Sequence, residues 1–231
     1  MYYFMLDEES SIRHNFVVAK RPDIPSVKYN YKEYDIPGRD GKLYENLGTV
    51  DDIKIEIECN YISNPNLWHS RWREIKKWLL KNHDFLSLSD DNEYCYRIKK
   101  IELGTNEREV IVSGSFTITF ILEGYMYLKS GQIEYPYSTV LFNSYEKTMP
   151  KYIITGEGNC TLTVNGTECT CNVGQNLIIE TYLRLSYRED GTLQNTSINA
   201  NYEDLFLLEG NNDISITNGF DLKIVPNWRC L

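Results

Sequence analysis

Ile53-Lys54-Ile55-Glu56-Ile57-Glu58-Cys59-Asn60-Tyr61 alternates apolar and polar residues without a break. Side chains alternate faces along a strand, so this pattern predicts a strand with one buried and one solvated face. A different period starts three residues later. Asn64 is a helix-capping type and Pro65 suits a first helical position. Trp68, Trp72, Ile75 and Leu79 then recur at i, i+4, i+7 and i+11, a narrow apolar stripe. This predicts a helix over about 65–82, with Trp78 on the shoulder of the stripe and Asn82 as a stop. Lys77 and Lys81 suit the negative C-terminal end of the helix dipole. A half-buried strand followed by an amphipathic helix predicts a sheet with a helix docked on it. At helical spacing the tryptophans read as a core face, and the basic residues as a solvated face.

Outward from this stretch the chain reads as β structure. On the N-terminal side, 12–18 and 27–31 are strand candidates. They lead into Ile36-Pro37-Gly38-Arg39-Asp40-Gly41. Proline presets φ and glycine accepts φ > 0, so this is turn chemistry at the tip of a protruding hairpin. On the C-terminal side, 85–88, 94–103 and 116–122 read as strands. The acidic run Asp90-Asp91-Asn92-Glu93 lacks the spaced carboxylates, glycine and distal glutamate of a calcium loop, so it reads as a turn. Residues 124–147 lose any clear period. From 150 onward come short strands and turns, with Asn165-Gly166 and Asp190-Gly191 as hairpin signals. The expected fold class is therefore mainly β. A β-sandwich-like N-terminal domain (1–135) carries one docked helix and a protruding hairpin, and an antiparallel β-sandwich follows (136–231).

Bulk properties bound the function. The 231 residues fit one large or two small domains, and an apolar share of 42% fits a globular chain. Net charge is −9, with 18 basic against 22 acidic residues before position 136 and 6 against 11 after it. Neither part has a basic footprint for gripping nucleic acid. No apolar run is long enough to span a membrane. Met1 to Ser10 lacks the basic start of a signal peptide, so the N-x-S/T patterns at Asn159, Asn165 and Asn195 read as incidental. The cysteines at 59, 95, 160, 169, 171 and 230 form no C-x-x-C pair. Most of them read as buried free thiols made in a reducing cytosol, and Cys169-x-Cys171 lacks partner ligands for a metal. No cofactor or metal is expected. Adjacent carboxylates (Glu8-Glu9, Asp51-Asp52, Asp90-Asp91) point to opposite faces of a strand and make poor acid–base pairs. No catalytic set is evident, so an enzyme is not expected. Trp228, the sole tryptophan of the second half, reads as core. A glycan-stacking platform there is the alternative, and it would make the chain a carbohydrate-binding sandwich that contacts host cell-wall glycans.

The order of the 36–41 turn, the 53–61 strand, the helix ending Trp78-Leu79-Leu80 and the run Asp90-Asp91-Asn92-Glu93-Tyr94 resembles the N-terminal half of the distal tail proteins of long-tailed phages infecting Gram-positive bacteria. The second half continues the resemblance in Leu177 to Thr181, Leu205 to Ile214 and Pro226-Asn227-Trp228. Glu180 stands where the family often has aspartate, and no inserted carbohydrate-binding module is visible. The resemblance implies a homohexameric ring at the virion tail tip, assembled in the host bacterial cytoplasm. N-terminal domains would form the ring, and galectin-like C-terminal sandwiches would project outward. The sugar-binding side chains of true galectins are not evident. The implied partners are the chain itself, the tail tube protein, the tail-associated protein and a receptor-binding protein. DNA would transit a central channel without specific binding. Within such a ring, Pro37, Gly38, Arg39, Asp40 and Gly41 are the candidate subunit contacts, while Trp68, Trp72, Ile75 and Leu79 support the core.

Overall fold

The computed structural model describes residues 1–108 and 110–231. The chain divides into two compact units, Met1–Met126 with Leu231, and Tyr127–Cys230.

The first unit contains β1 (Phe4–Leu6), β2 (Glu9–Ser10), β3 (Phe16–Val18), β4 (Tyr29–Asp35), β5 (Lys42–Val50), β6 (Ile53–Ile62), α1 (Trp68–Leu79), β7 (Phe85–Leu88) and β8 (Asp91–Leu103). It also holds most of β9 (Ser113–Leu128). One sheet runs in the order β2-β1-β7-β8-β9-β6-β3, while β4 and β5 form a separate two-stranded sheet. The alternation seen in the sequence becomes a strict buried–exposed alternation along β6. Its antiparallel register with β9 sets Ile55 opposite Phe120, Ile57 opposite Ile118 and Cys59 opposite Phe116. These pairs share a face, and that face is the core. Tyr61 lies opposite Gly114, where an added Cβ would fall 2.4 Å from the tyrosine ring. Glycine there makes room for the ring.

The helix docks on this face. A 3₁₀ turn at Pro65–Leu67, capped by the Asn64 side chain, precedes α1. Trp68, Ile75, Trp78 and Leu79 are buried, and Trp72 is partly buried at the core margin. The helix ends at Leu79, short of Asn82: the Trp78 carbonyl oxygen accepts from the Lys81 N–H at 3.1 Å and lies 2.9 Å from Nε2 of the nearby His83. Trp78 joins the buried aromatic cluster, with its ring 6.1 Å from Phe4 and 5.9 Å from Phe16, and His14 stacked on it at 3.9 Å. Its indole N–H donates to Glu9 Oε2 at 2.7 Å. The 12–18 stretch differs from the expected single strand. Ser10 Oγ accepts from the Ile12 N–H and Asn15 takes φ 59°, so Ser11–His14 close a 3₁₀ turn before β3. Local side-chain capping here outcompetes the ladder.

The second unit holds β10 (Tyr135–Pro136), β11 (Phe142–Asn143), β12 (Lys151–Val164), β13 (Thr167–Glu180), β14 (Leu185–Tyr187), β15 (Gly210–Asn211), β16 (Ile214–Ile216), β17 (Asp221–Val225) and β18 (Arg229–Cys230). Its main sheet runs β10-β17-β12-β13-β14, with β16 also on β12, and β11 pairs β15. The strands expected at 152–155 and 161–164 are one strand. Gly156 and Gly158 interrupt the apolar alternation but not the ladder, which pairs Lys151 through Val164 with β13. Asn165 and Gly166, at φ 50° and 84°, make the β12–β13 turn, with both central residues in the region a type I′ turn requires. The core gathers Tyr152, Ile154, Leu162, Leu177 and Ile179 with Leu205 and Leu207.

Two predictions follow from the helix packing. Trp78→Ala removes the most interlocked side chain of the first unit and should cost about 3–5 kcal/mol, read from the urea midpoint. The second concerns pH. The Trp78 indole N–H, aided by His14, holds the Glu9 carboxyl below the usual glutamate value, against the opposing effect of burial. A depressed folded-state pKa contributes stability above the ordinary glutamate pKa, and that contribution is lost as pH falls through the folded value. Glu9→Gln should therefore flatten the acid limb of the stability–pH curve. An unchanged limb would rule the linkage out.

Candidate assembly surface

The feature least accounted for by the chain's own packing is the β4–β5 hairpin. Its tip is the 36–41 turn. The Arg39 N–H donates to the Ile36 carbonyl at 3.2 Å, and Gly38 and Gly41 take φ 81° and 76°. Nothing lies within 4 Å of a Cβ placed at either glycine, so conformation, not space, selects glycine there. Pro37, Gly38, Arg39, Asp40 and Gly41 are all exposed. At the base, the Asp51 N–H donates to the Lys28 carbonyl, and the ribbon approaches Gly124 of β9 so closely that a Cβ there would lie 2.4 Å from the Asp51 carbonyl oxygen.

The register assigns the ribbon's faces. Tyr31, Glu33 and Asp35 lie opposite Asn46, Tyr44 and Lys42, and Lys32 and Tyr34 lie opposite Glu45 and Leu43. On the first face Tyr31 meets Tyr29 and Tyr44 edge-on at 6.5 and 6.4 Å, and Lys42 pairs with Glu33. On the second, Tyr34 Oη donates to Glu45 Oε2 at 2.6 Å and the Lys32 ammonium lies over the Tyr34 ring. Tyr29, Tyr31 and Tyr44 remain 45–58% exposed, with Leu43 and Leu47 also open. A two-stranded ribbon solvated on both faces is marginal by itself in water. Exposed aromatic rungs of this kind are typical of surfaces that another protein covers.

A second apolar surface sits elsewhere on the first unit. Ile62 pairs with Ser113, and the Ser63 N–H donates to the Val112 carbonyl. This brings Ile62 beside Val110, Ile111 and Val112, all exposed, with exposed Leu67 on the neighbouring 3₁₀ turn. Arg108 caps the cluster by donating to the Ile111 carbonyl and lying over the Trp68 ring at 5.0 Å.

The residues that suggested chemistry are engaged structurally. Asp52 pairs with Lys99 at 2.7 Å, Asp90 pairs with Arg21, and Glu9 binds Trp78. Cys169 and Cys171 lie in the second core with sulfurs 3.7 Å apart, and Cys160 stands opposite Cys171. All six cysteines are free thiols. Among the described residues no group of three or more His, Cys, Asp or Glu side chains is placed to hold a metal. No helix among them is long and apolar enough to cross a membrane. Trp228 is partly buried on the second core, 5.9 Å from Tyr145. Gly131 lies under it, since a Cβ there would be 2.5 Å from the Trp228 nitrogen.

No family model matches the sequence, and no curated protein matches it. Among solved structures the chain is similar to the crystal structure of the SPP1 Dit (gp 19.1) protein, described as a paradigm of the hub adsorption apparatus in Gram-positive-infecting phages. The similarity covers 100% of both chains, with a TM-score of 0.64 and 13% sequence identity. At that identity the shared property is the fold, and the fold is the one implied by the sequence resemblance.

The Gly131–Trp228 contact yields a prediction. Gly131→Ala drives a methyl group into the Trp228 backbone and should cost about 1–3 kcal/mol. The readout is a lowered denaturation midpoint with a changed near-ultraviolet circular dichroism signal. A neutral result would mean that Trp228 is not held by this contact.

Proposed function

We propose that the chain is a non-enzymatic structural component of a phage tail tip or baseplate: a hub that joins the tail tube to the tail-associated protein. The observation that carries this reading is the full-length, two-way match to the fold of an adsorption-apparatus hub. Both units take part in it, so the reading does not rest on one common β module. The finer features belong to the same proposal. Six copies form a ring through the N-terminal part, about 1–135, around a channel that DNA transits without specific binding. The galectin-like C-terminal parts, about 136–231, project outward toward other baseplate or receptor-binding proteins. The protein resides at the virion tail tip.

A closed ring needs head-to-tail contacts, and these use two different patches on each subunit. The first unit offers two such patches, the β4–β5 ribbon and the Ile62/Leu67/Val110–Val112 cluster. In this reading the ribbon's tip, Pro37 to Gly41, contacts the neighbouring copy. The formal charge of −9 per chain supports passage of DNA without sticking, because an acidic wall repels phosphate.

Light scattering coupled to size exclusion, with negative-stain imaging, should show a sixfold ring. Arg39→Ala with Asp40→Ala should shift the population toward smaller species without lowering the unfolding midpoint of the subunit. A wild-type chain that stays monomeric at high concentration would overturn the ring. Unchanged assembly of the double variant would remove the turn from the interface. Binding on a cell-wall glycan array that is lost in Trp228→Ala would favour a carbohydrate-binding function instead.

A further inference from the structure

The sequence contains two Asn-Gly dipeptides, Asn165-Gly166 and Asn218-Gly219. This pair is the one most prone to intramolecular deamidation, because no side chain on the second residue hinders attack by its backbone nitrogen. The fold treats the two sites oppositely. Asn165 Nδ2 donates to Asn212 Oδ1 at 2.8 Å, Asn165 Oδ1 accepts from the Asp213 N–H at 3.0 Å, and its own N–H donates to the Asp213 carbonyl. Asn212 is itself buried and held by Leu208 and Gly210. The Asn165 carboxamide is thus clamped at both ends.

Asn218 occupies the tip of the β16–β17 turn. It is exposed, and its carboxamide makes no hydrogen bond among the described residues. Gly219 follows at φ 93°. The residues on either side are anchored. The Thr217 N–H donates to the Thr161 carbonyl, and Thr217 Oγ1 accepts from the Thr161 N–H at 2.9 Å. Phe220 packs against Gly156, where a Cβ would lie 2.3 Å from its ring. The hydrogen bond across the turn, Phe220 N–H to the Thr217 carbonyl, is long at 3.4 Å. Freedom is concentrated in the two residues that react.

We propose that Asn218 is a site of spontaneous covalent modification in the folded protein, and that the Asn212 clamp protects Asn165. The Gly219 backbone nitrogen attacks Asn218 Cγ, forming an N–Cγ bond. The Cγ–Nδ2 bond breaks and ammonia leaves, taking up the Gly219 amide proton. Water then opens the succinimide at either carbonyl, giving aspartate or isoaspartate. No oxidant or reductant takes part. Each event adds one negative charge to the second unit, and the isoaspartyl product lengthens the backbone within the 217–220 turn.

The test is peptide mapping by mass spectrometry after incubating the folded full-length chain at mildly alkaline pH. Acid and isoaspartyl forms should accumulate at Asn218. Conversion at Asn165 should be slower by about thirtyfold, the factor for breaking two ordinary hydrogen bonds. In concentrated urea the two sites should react at similar rates. Asn218→Gln should remove the new acidic band on isoelectric focusing. Equal rates in the folded chain, or an unconverted Asn218, would overturn the proposal.

Discussion

The burial of Trp78 is the contact on which the first unit depends. Its ring is bracketed by Phe4, Phe16 and His14, and its indole N–H is satisfied by Glu9. A buried indole without an acceptor would carry a desolvation cost, so Glu9 makes the burial tolerable. The same residue closes the helix, because its carbonyl faces His83, whose other ring nitrogen lies 3.0 Å from Asp7. Asp7 in turn accepts from the N–H groups of Asp84 and Phe85 at the start of β7. Trp78, His83 and Asp7 thereby tie the N-terminal segment, the helix end and the sheet together.

The ribbon is carried on this unit at its base. The β4–β5 hairpin contributes little to the core, yet its base is fixed by Lys28 and Asp51 and seated against Gly124. Ordering a solvated ribbon costs conformational entropy that its own pairs barely offset. Within the chain its aromatic rungs, Tyr29, Tyr31 and Tyr44, stay uncovered. The second unit is built on the opposite principle. Its long β12–β13 hairpin provides the central ladder, and loops such as 205–213 fold back on it through carboxamides, chiefly Asn212 and Asn165.

Much of the fold was legible locally. The period-two pattern of 53–61 and the turn chemistry at 36–41 and 165–166 depend on near neighbours, and each occurs where the residues indicate. The misreadings have physical causes. Capping by Ser10 and Asn15 converted part of 12–18 into a 3₁₀ turn. Glycines 156 and 158 hid the continuity of β12, because a ladder tolerates glycine even where hydrophobic alternation stops. As for the surfaces, the turn at 36–41 could be found from composition, but the Ile62/Leu67/Val110–Val112 cluster could not. Its members come from three segments and are adjacent only through pairing of β6 with the start of β9.

The sequence by itself determined the mainly β class, the helix and the hairpin tip, because these follow from periodicity and from backbone preferences of single residues. Only the tertiary structure decided that Trp78 is central to the core. The partner that satisfies it, Glu9, is 69 residues away in the chain, and no local period encodes that distance. The two Asn-Gly pairs make the same point. They are identical as dipeptides, and one is clamped while the other is free, because hydrogen bonds from a distant loop reach Asn165 and not Asn218.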